Sequence, residues 1–348
     1  MIMCDSEPIQ AVLRRLHPRV PFGISRGVKT FVENLFVSLS DHIGEAAPVA
    51  YLGQTGEVLL NRSRAIRVPD FYVERPQEAI QEIGAVLADF PCLLAAIDMA
   101  IHSAWAAGQG QPLYRLWGIE AKNAPASSFT IGLDTPERMV ERLESSGDFP
   151  IVKIKLGGQN DVARLKAIRQ ATTKTLRVDA NEGWDRQTAR WWIERLRDWN
   201  VDLVEQPLPR GDREGLLELN RINQGRIPII LDESVRTSRN IPGILGTCDG
   251  INIKLAKCGG LLEARKMIYL AREHNLRIMV GCMLESSLGI TAAAHLAPFA
   301  DFVDLDGAAL LADDPFDGVW FEKGQVRFPG RPGLGVVFRG NVHDIFGV

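Results

Sequence analysis

The sequence predicts an α/β protein built on a parallel strand-helix barrel, with a separate α+β unit ahead of it, and three observations predict it. Short apolar or β-branched runs recur eight times from residue 127 onward, beginning near Ser127, Ile151, Arg177, Asp202, Ile229, Ile251, Arg277 and Phe302, at spacings of 24, 26, 25, 27, 22, 26 and 25 residues. That is the length of a strand, a crossover helix and two loops. The intervening segments 161–171, 187–199 and 262–274 carry apolar residues three and four apart, which is the spacing of one helix face. Residues 1 to about 125 do not keep that rhythm. Eight alternations without a hairpin signal point to a closed parallel barrel. An open doubly wound sheet is the rival, but the GxGxxG turn that marks it is missing.

Length and composition bound each element. The chain has 348 residues, 40 basic and 43 acidic side chains, a net charge of −3 and 46% hydrophobic residues, enough for one large domain or two with a substantial core. Disorder is excluded, and the absence of any Lys/Arg run argues against a nucleic-acid partner. Within the first unit, residues 30–38 and 58–68 read as extended and residues 76–87 and 92–106 as helical. The most apolar window, 91–107, is interrupted by Asp98 and His102 and falls short of the ~20 apolar residues of a spanning helix, so it reads as a buried helix and no membrane partner is expected. The N-terminal MIMCDSEPIQ carries acid where a secretory signal carries positive charge, which implies a cytoplasmic chain. Cysteines 4, 92, 248, 258 and 282 are odd in number and scattered, so reduced, mostly buried thiols are expected rather than a disulfide framework or a thiolate zinc site. After Asp314, the glycines and prolines at 318, 324, 329, 330, 332, 333 and 335 bring turn chemistry in place of a last barrel helix, in a tail free to return over the first unit. The expected division is residues 1–125, 126–314 and 315–348.

In a parallel barrel the strand C-termini form the active face. Five strands end in ionisable residues: Lys153-Ile154-Lys155, Asp179-Ala180-Asn181, Glu205-Gln206-Pro207, Asp232-Glu233-Ser234 and Lys254-Leu255-Ala256-Lys257. Asp179, Glu205 and Asp232 lie 26 and 27 residues apart, one per consecutive strand, so their oxygens meet at one barrel mouth. Unaided they would repel; Mg²⁺, which takes oxygen ligands and keeps positions open for substrate, resolves the conflict. The alternative is that each caps its following helix. Lys153 and Lys155 point to the same side of their strand, toward the mouth, where mutual repulsion and desolvation would lower a lysine pKa toward that of a useful base. Lys254 comes from the strand diametrically opposite. Two amines facing opposite sides of a central substrate is the geometry of a two-base racemisation or epimerisation at a carbon beside a carboxylate, with the metal stabilising the enediolate. A Schiff-base lysine is the alternative, though it needs no carboxylate trio.

These motifs, with Asn252-Ile253-Lys254 and Gly259-Gly260, closely resemble the muconate-lactonising subgroup of the enolase superfamily over nearly the whole chain. The resemblance implies a modified TIM barrel, (β/α)₇β, with an N-terminal α+β capping domain that carries substrate-specificity loops. It also implies Mg²⁺ on Asp179, Glu205 and Asp232, with Lys155 and Lys254 as the acid/base pair. Val303-Asp304-Leu305-Asp306-Gly307 resembles the DxD of dipeptide epimerases, where the pair binds a substrate ammonium; a solvated acidic loop is the alternative. Thr130-Ile131-Gly132 and Met283-Leu284-Glu285-Ser286 are similar to that group as well. Arg26, in Phe22-Gly23-Ile24-Ser25-Arg26-Gly27, resembles the cap-loop arginine that meets a side-chain carboxylate in Ala-Glu epimerases, while Gln54 stands where many relatives have glutamate.

The activity implied is a Mg²⁺-dependent dipeptide epimerase, with L-Ala-D/L-Glu as first candidate and Asp304, Asp306, Thr130, Arg26 and Lys153 as substrate-binding residues. The rivals are N-succinylamino acid racemase, o-succinylbenzoate synthase and muconate cycloisomerase. A non-catalytic binding barrel shares the fold but has no need of opposed lysines. The partner is a small-molecule dipeptide; a homo-oligomer is compatible with the sequence and not specified by it.

Overall fold

The computed structural model describes residues 6–120, 124–340 and 345–346; Cys4 lies outside them. Eight parallel strands run Ser128–Ile131, Ile151–Lys155, Thr175–Asp179, Val201–Glu205, Ile229–Leu231, Gly250–Ile253, Arg277–Gly281 and Phe302–Asp304, each starting within two residues of the run that announces it in the sequence. The eighth strand returns to the first through a parallel bridge between Ser127 and Val303, which closes the barrel. Long helices follow six of the first seven strands: Pro136–Leu143, Asp161–Ala171, Arg186–Ile193, Arg213–Asn223, Leu261–Glu273 and Ser287–Ala294. After the fifth strand the helix shrinks to the four residues Ile241–Ile244, and the eighth is followed by the 3₁₀ turn Gly307–Leu310. Strand alternation sends one set of side chains into the barrel, where Leu203, Ile230 and Met279 pack below the mouth.

Ahead of the barrel, the antiparallel strands Gln10–Leu16, Val32–Leu39 and His42–Ala46 pack on helices Pro76–Val86 and Pro91–Gly108. The extended reading of residues 58–68 is corrected: most of that stretch belongs to the helix Gly56–Ser63. Thr55 accepts the Val58 N–H as N-cap, and Gly56, Leu59 and Ser63 are buried at spacings of three and four. That one-sided burial outweighs the β-propensity of the valine and its apolar neighbours. The buried helix Pro91–Gly108 docks on the barrel through Asp98, which accepts the Leu261 and Leu262 N–H groups at the start of a barrel helix. Glu45 does the same for the N–H groups of Ser286 and Gly289. The tail runs back across the molecule, with Ala312 N–H donating to His17 O at 2.8 Å and Leu113 N–H to Gly333 O at 2.9 Å.

Among the described residues no helix is long and apolar enough to cross a membrane. Cys92, Cys248, Cys258 and Cys282 are free.

His295, fully buried beside Tyr114 and Phe328, contacts Leu334 O through Nε2 while Nδ1 has no partner among the described residues. Burial lowers its pKa to about 4. Unfolded histidine titrates near 6.5 and takes up the proton first, so stability is full above that value and falls as pH drops from there toward 4, by about 3 kcal/mol. Urea unfolding of wild type and His295→Phe at neutral pH and at about pH 4 checks this. The acid loss should shrink in the variant; an unchanged loss would assign it elsewhere.

A candidate active site at the barrel mouth

Lys153 and Lys155 point into the barrel from the second strand, Asp179 from the third and Glu205 from the fourth, while Asp232, Lys254 and Asp304 sit at the ends of the fifth, sixth and eighth. Residues from strands two, three, four and eight therefore meet on one ammonium: Lys153 Nζ lies 2.7 Å from Asp304 Oδ2, 2.6 Å from Glu205 Oε2 and 3.2 Å from Asp179 Oδ2. Lys155 Nζ donates to Asp179 Oδ2 at 2.5 Å, and Lys254 Nζ to Asp232 Oδ2 at 2.9 Å. Asn252 Nδ2 orients Glu205 at 2.8 Å, and Lys257 holds Asp232 through its carboxylate and, at 2.8 Å, its carbonyl oxygen. Gln206 ties the fourth strand to the fifth, its Oε1 accepting the Asp232 N–H at 3.0 Å.

The helix-capping alternative for the three carboxylates is excluded here, because the N-cap positions after the third, fourth and fifth strands are Asp185, Asp212 and Thr237. All three acids are instead buried at the mouth.

Electrostatics at the site reverse one expectation. The pKa values of Lys153 and Lys254 rise. Burial opposes the charge on Lys254, but Asp232 and Glu205 outweigh it and raise the pKa; for Lys153, Asp304, Glu205 and Asp179 do the same. Burial likewise opposes ionisation of Asp179 and Asp232, and the lysines overcome it, holding both carboxyls below the usual range. Glu205 goes up, through burial and the neighbouring Asp179 charge.

The carboxylates consequently turn to ammonium groups rather than to one another, and among the described residues no three His, Cys, Asp or Glu side chains close on one point. The donor set still fits a hard dication. It offers three buried carboxylates, and Glu205 Oε2 has no hydrogen-bond partner among the described residues, since Lys153 stands near it but off the bonding direction.

The DxD pair divides. Asp304 is saturated by Lys153, Ser128 Oγ at 2.6 Å and Thr130 Oγ1 at 3.3 Å, and Lys153 keeps it ionised against its burial. Among the described residues Asp306 receives only Thr130, through N–H at 2.5 Å and Oγ1 at 3.2 Å; burial and the Asp304 charge raise it to about 7. Gly307 permits the turn that follows, since a Cβ there would sit 2.5 Å from Met283 O.

Thr130, Lys153, Lys155, Lys254, Asp232, Asp304, Asp306 and Arg26 line a single cavity. Arg26 reaches it from the hairpin Phe22–Ile24/Gly27–Lys29, but its guanidinium is already paired with Glu182 at 2.8 Å and Glu233 at 2.7 Å. Lys153 likewise lies below the mouth, bound to carboxylates, and orders them rather than offering a free donor. Ser128 and Lys29 escape the sequence reading, which places Lys257 at the end of the sixth strand without a role. Strand alternation would have found Ser128, two residues before Thr130 on the same face. Helical spacing would have given Lys257 its role, three residues after Lys254.

Residues 134–342 match the family model described as enolase C-terminal domain-like. The chain is 36% identical to an L-Ala-D/L-Glu epimerase of Bacteroides thetaiotaomicron, over 84% of this chain and 77% of that one. It is 37% identical to a hydrophobic dipeptide epimerase of Roseobacter litoralis, over 92% and 96%. Its fold superposes on a dipeptide epimerase of Cytophaga hutchinsonii complexed with Mg and D-Ala-L-Val, with a TM-score of 0.89 and 26% identity over 98% of each chain.

Proposed function

This chain belongs to the enolase C-terminal domain-like family, and from that premise we propose that it is a Mg²⁺-dependent dipeptide epimerase, an isomerase inverting the α-carbon of the C-terminal residue by 1,1-proton transfer. One observation carries the reading. Lys155 and Lys254, from strands four apart, line the same cavity, with three buried carboxylates at the mouth and Asp306 left without a cationic partner among the described residues.

Asp179, Glu205 and Asp232 would hold the Mg²⁺, which supplies positive charge that draws electron density from the substrate carboxylate and acidifies its α-proton. One lysine Nζ accepts that proton from one face, and the other donates a proton to the opposite face. Asp306, aimed by Thr130, accepts hydrogen bonds from the α-ammonium of the dipeptide. Phe22, Ile24, Tyr51, Leu284 and Leu310 wall the cavity and limit water, which keeps the transferred proton from exchanging freely. L-Ala-D/L-Glu is the first candidate substrate. A cytoplasmic location goes with the free thiols at 92, 248, 258 and 282.

The test is solvent-deuterium incorporation into a dipeptide library, followed by kcat/KM on free and N-acetylated Ala-Glu. Acetylation removes the ammonium, so it and Asp306→Asn should each weaken turnover through KM, by about 1.5–3 kcal/mol per charge-assisted hydrogen bond. Asp304→Asn should in addition destabilise the protein, because it strips a buried partner from Lys153. Equal wild-type rates on free and acetylated substrate would move the reading to an N-acylamino acid racemase.

A further inference from the structure

Cations dominate the lining of the catalytic cavity, and all but one are matched. Lys153, Lys155, Lys254 and Lys257 are paired with the buried carboxylates, and Arg26 bridges Glu182 and Glu233. Lys29 is the exception. It pairs with Phe22 across the hairpin, lines the cavity, and has no carboxylate, carbonyl or hydroxyl partner among the described residues. The hairpin that carries it is fixed in place. Ser25 Oγ donates to Asn181 O at 2.9 Å, Leu133 N–H donates to Gly23 O at 2.8 Å, and a Cβ on Gly23 would meet Leu133 O at 2.1 Å.

Lys29 shares the cavity wall with Phe22, Ile24, Met283 and Leu284; burial, then repulsion from Arg26, lowers its pKa. An uncompensated cation among apolar groups is unfavourable. It suits a substrate that brings the anion, and it suits an apolar side chain poorly. Lys29 also lines a neighbouring pocket with Ala47, Pro48, Gln54, Met283 and Leu284, to which Asp304 and Asp306 do not contribute, so it serves the part of the cavity away from the end that takes the α-ammonium.

Resting on the epimerase reading above, we propose that Lys29, rather than Arg26, reads a carboxylate on the side chain of the C-terminal residue, and that the substrates are dipeptides ending in an acidic residue. Arg26 then acts as the latch that holds the hairpin to Glu182 and Glu233.

The experiment compares kcat/KM for Ala-Glu, Ala-Gln, Ala-Leu and Ala-Lys on the Mg²⁺-loaded wild type, Lys29→Met, Lys29→Arg, Lys29→Glu and Arg26→Met. Wild type should favour Ala-Glu over Ala-Gln. Lys29→Met should cut that ratio about 10–100-fold, mostly in KM, as expected for a lost charge-assisted hydrogen bond. Lys29→Arg should retain the preference, and Lys29→Glu should turn it toward Ala-Lys. Arg26→Met should lower turnover of all four dipeptides together. A wild type that prefers Ala-Leu, or an Ala-Glu/Ala-Gln ratio that collapses in Arg26→Met and survives in Lys29→Met, overturns the proposal and leaves the epimerase standing. No exchange or turnover on any dipeptide overturns both.

Discussion

Alanine at Lys155 or at Lys254 is expected to lower epimerisation by at least about 10²–10⁴-fold, the usual worth of a positioned general acid or base. Both side chains are nearly buried, line one cavity and come from opposite walls of the barrel, so neither can take over the face served by the other. Partial reactions should separate them. Each variant retains one lysine and should still exchange the α-proton of the enantiomer which that lysine faces, because removal and return occur on one side. Deuterium exchange into separate L,L and L,D dipeptides reads this directly. If either variant epimerises both at close to the wild-type rate, two-base transfer is wrong.

Chelation should abolish turnover, and Mg²⁺ should restore it. In the protein alone, Asp232 and Glu205 hold the Lys254 ammonium and raise its pKa, so its proton-accepting form requires those carboxylates to be engaged elsewhere. Glu205→Gln removes a buried charge at the centre of the donor set and should bind Mg²⁺ poorly, measured by calorimetry independently of activity. The same variant deprives Lys153 of an ion pair, so thermal unfolding should be recorded alongside. Full activity in a preparation verified as metal-free would remove the ion from the mechanism.

Much of this site is legible in the chain because a parallel barrel converts spacing into position. One strand-plus-helix unit occupies about 25 residues, so Asp179, Glu205 and Asp232 arrive at the mouth from adjacent strands, and Lys254 arrives opposite Lys155. Two-residue alternation places Lys153 beside Lys155 and Asp304 near Asp306 by the same regularity. Local periodicity also announces the eight strands and the turn-rich tail.

Tertiary structure alone decided which charges pair. Arg26 finds its carboxylates 156 and 207 residues away, and Lys153 finds Asp304 151 residues away. Nothing in the local pattern around an arginine or an aspartate records such a partner, because Coulomb energy depends on distance through space and on burial. That is why Arg26 looks free in the sequence and Lys29 looks ordinary, and why Asp304 and Asp306, alike in the motif, separate into a saturated carboxylate and an available one. The stretch at 58–68 follows the same logic: its composition suits a strand, and only packing of Leu59 into the core of the cap makes most of it a helix.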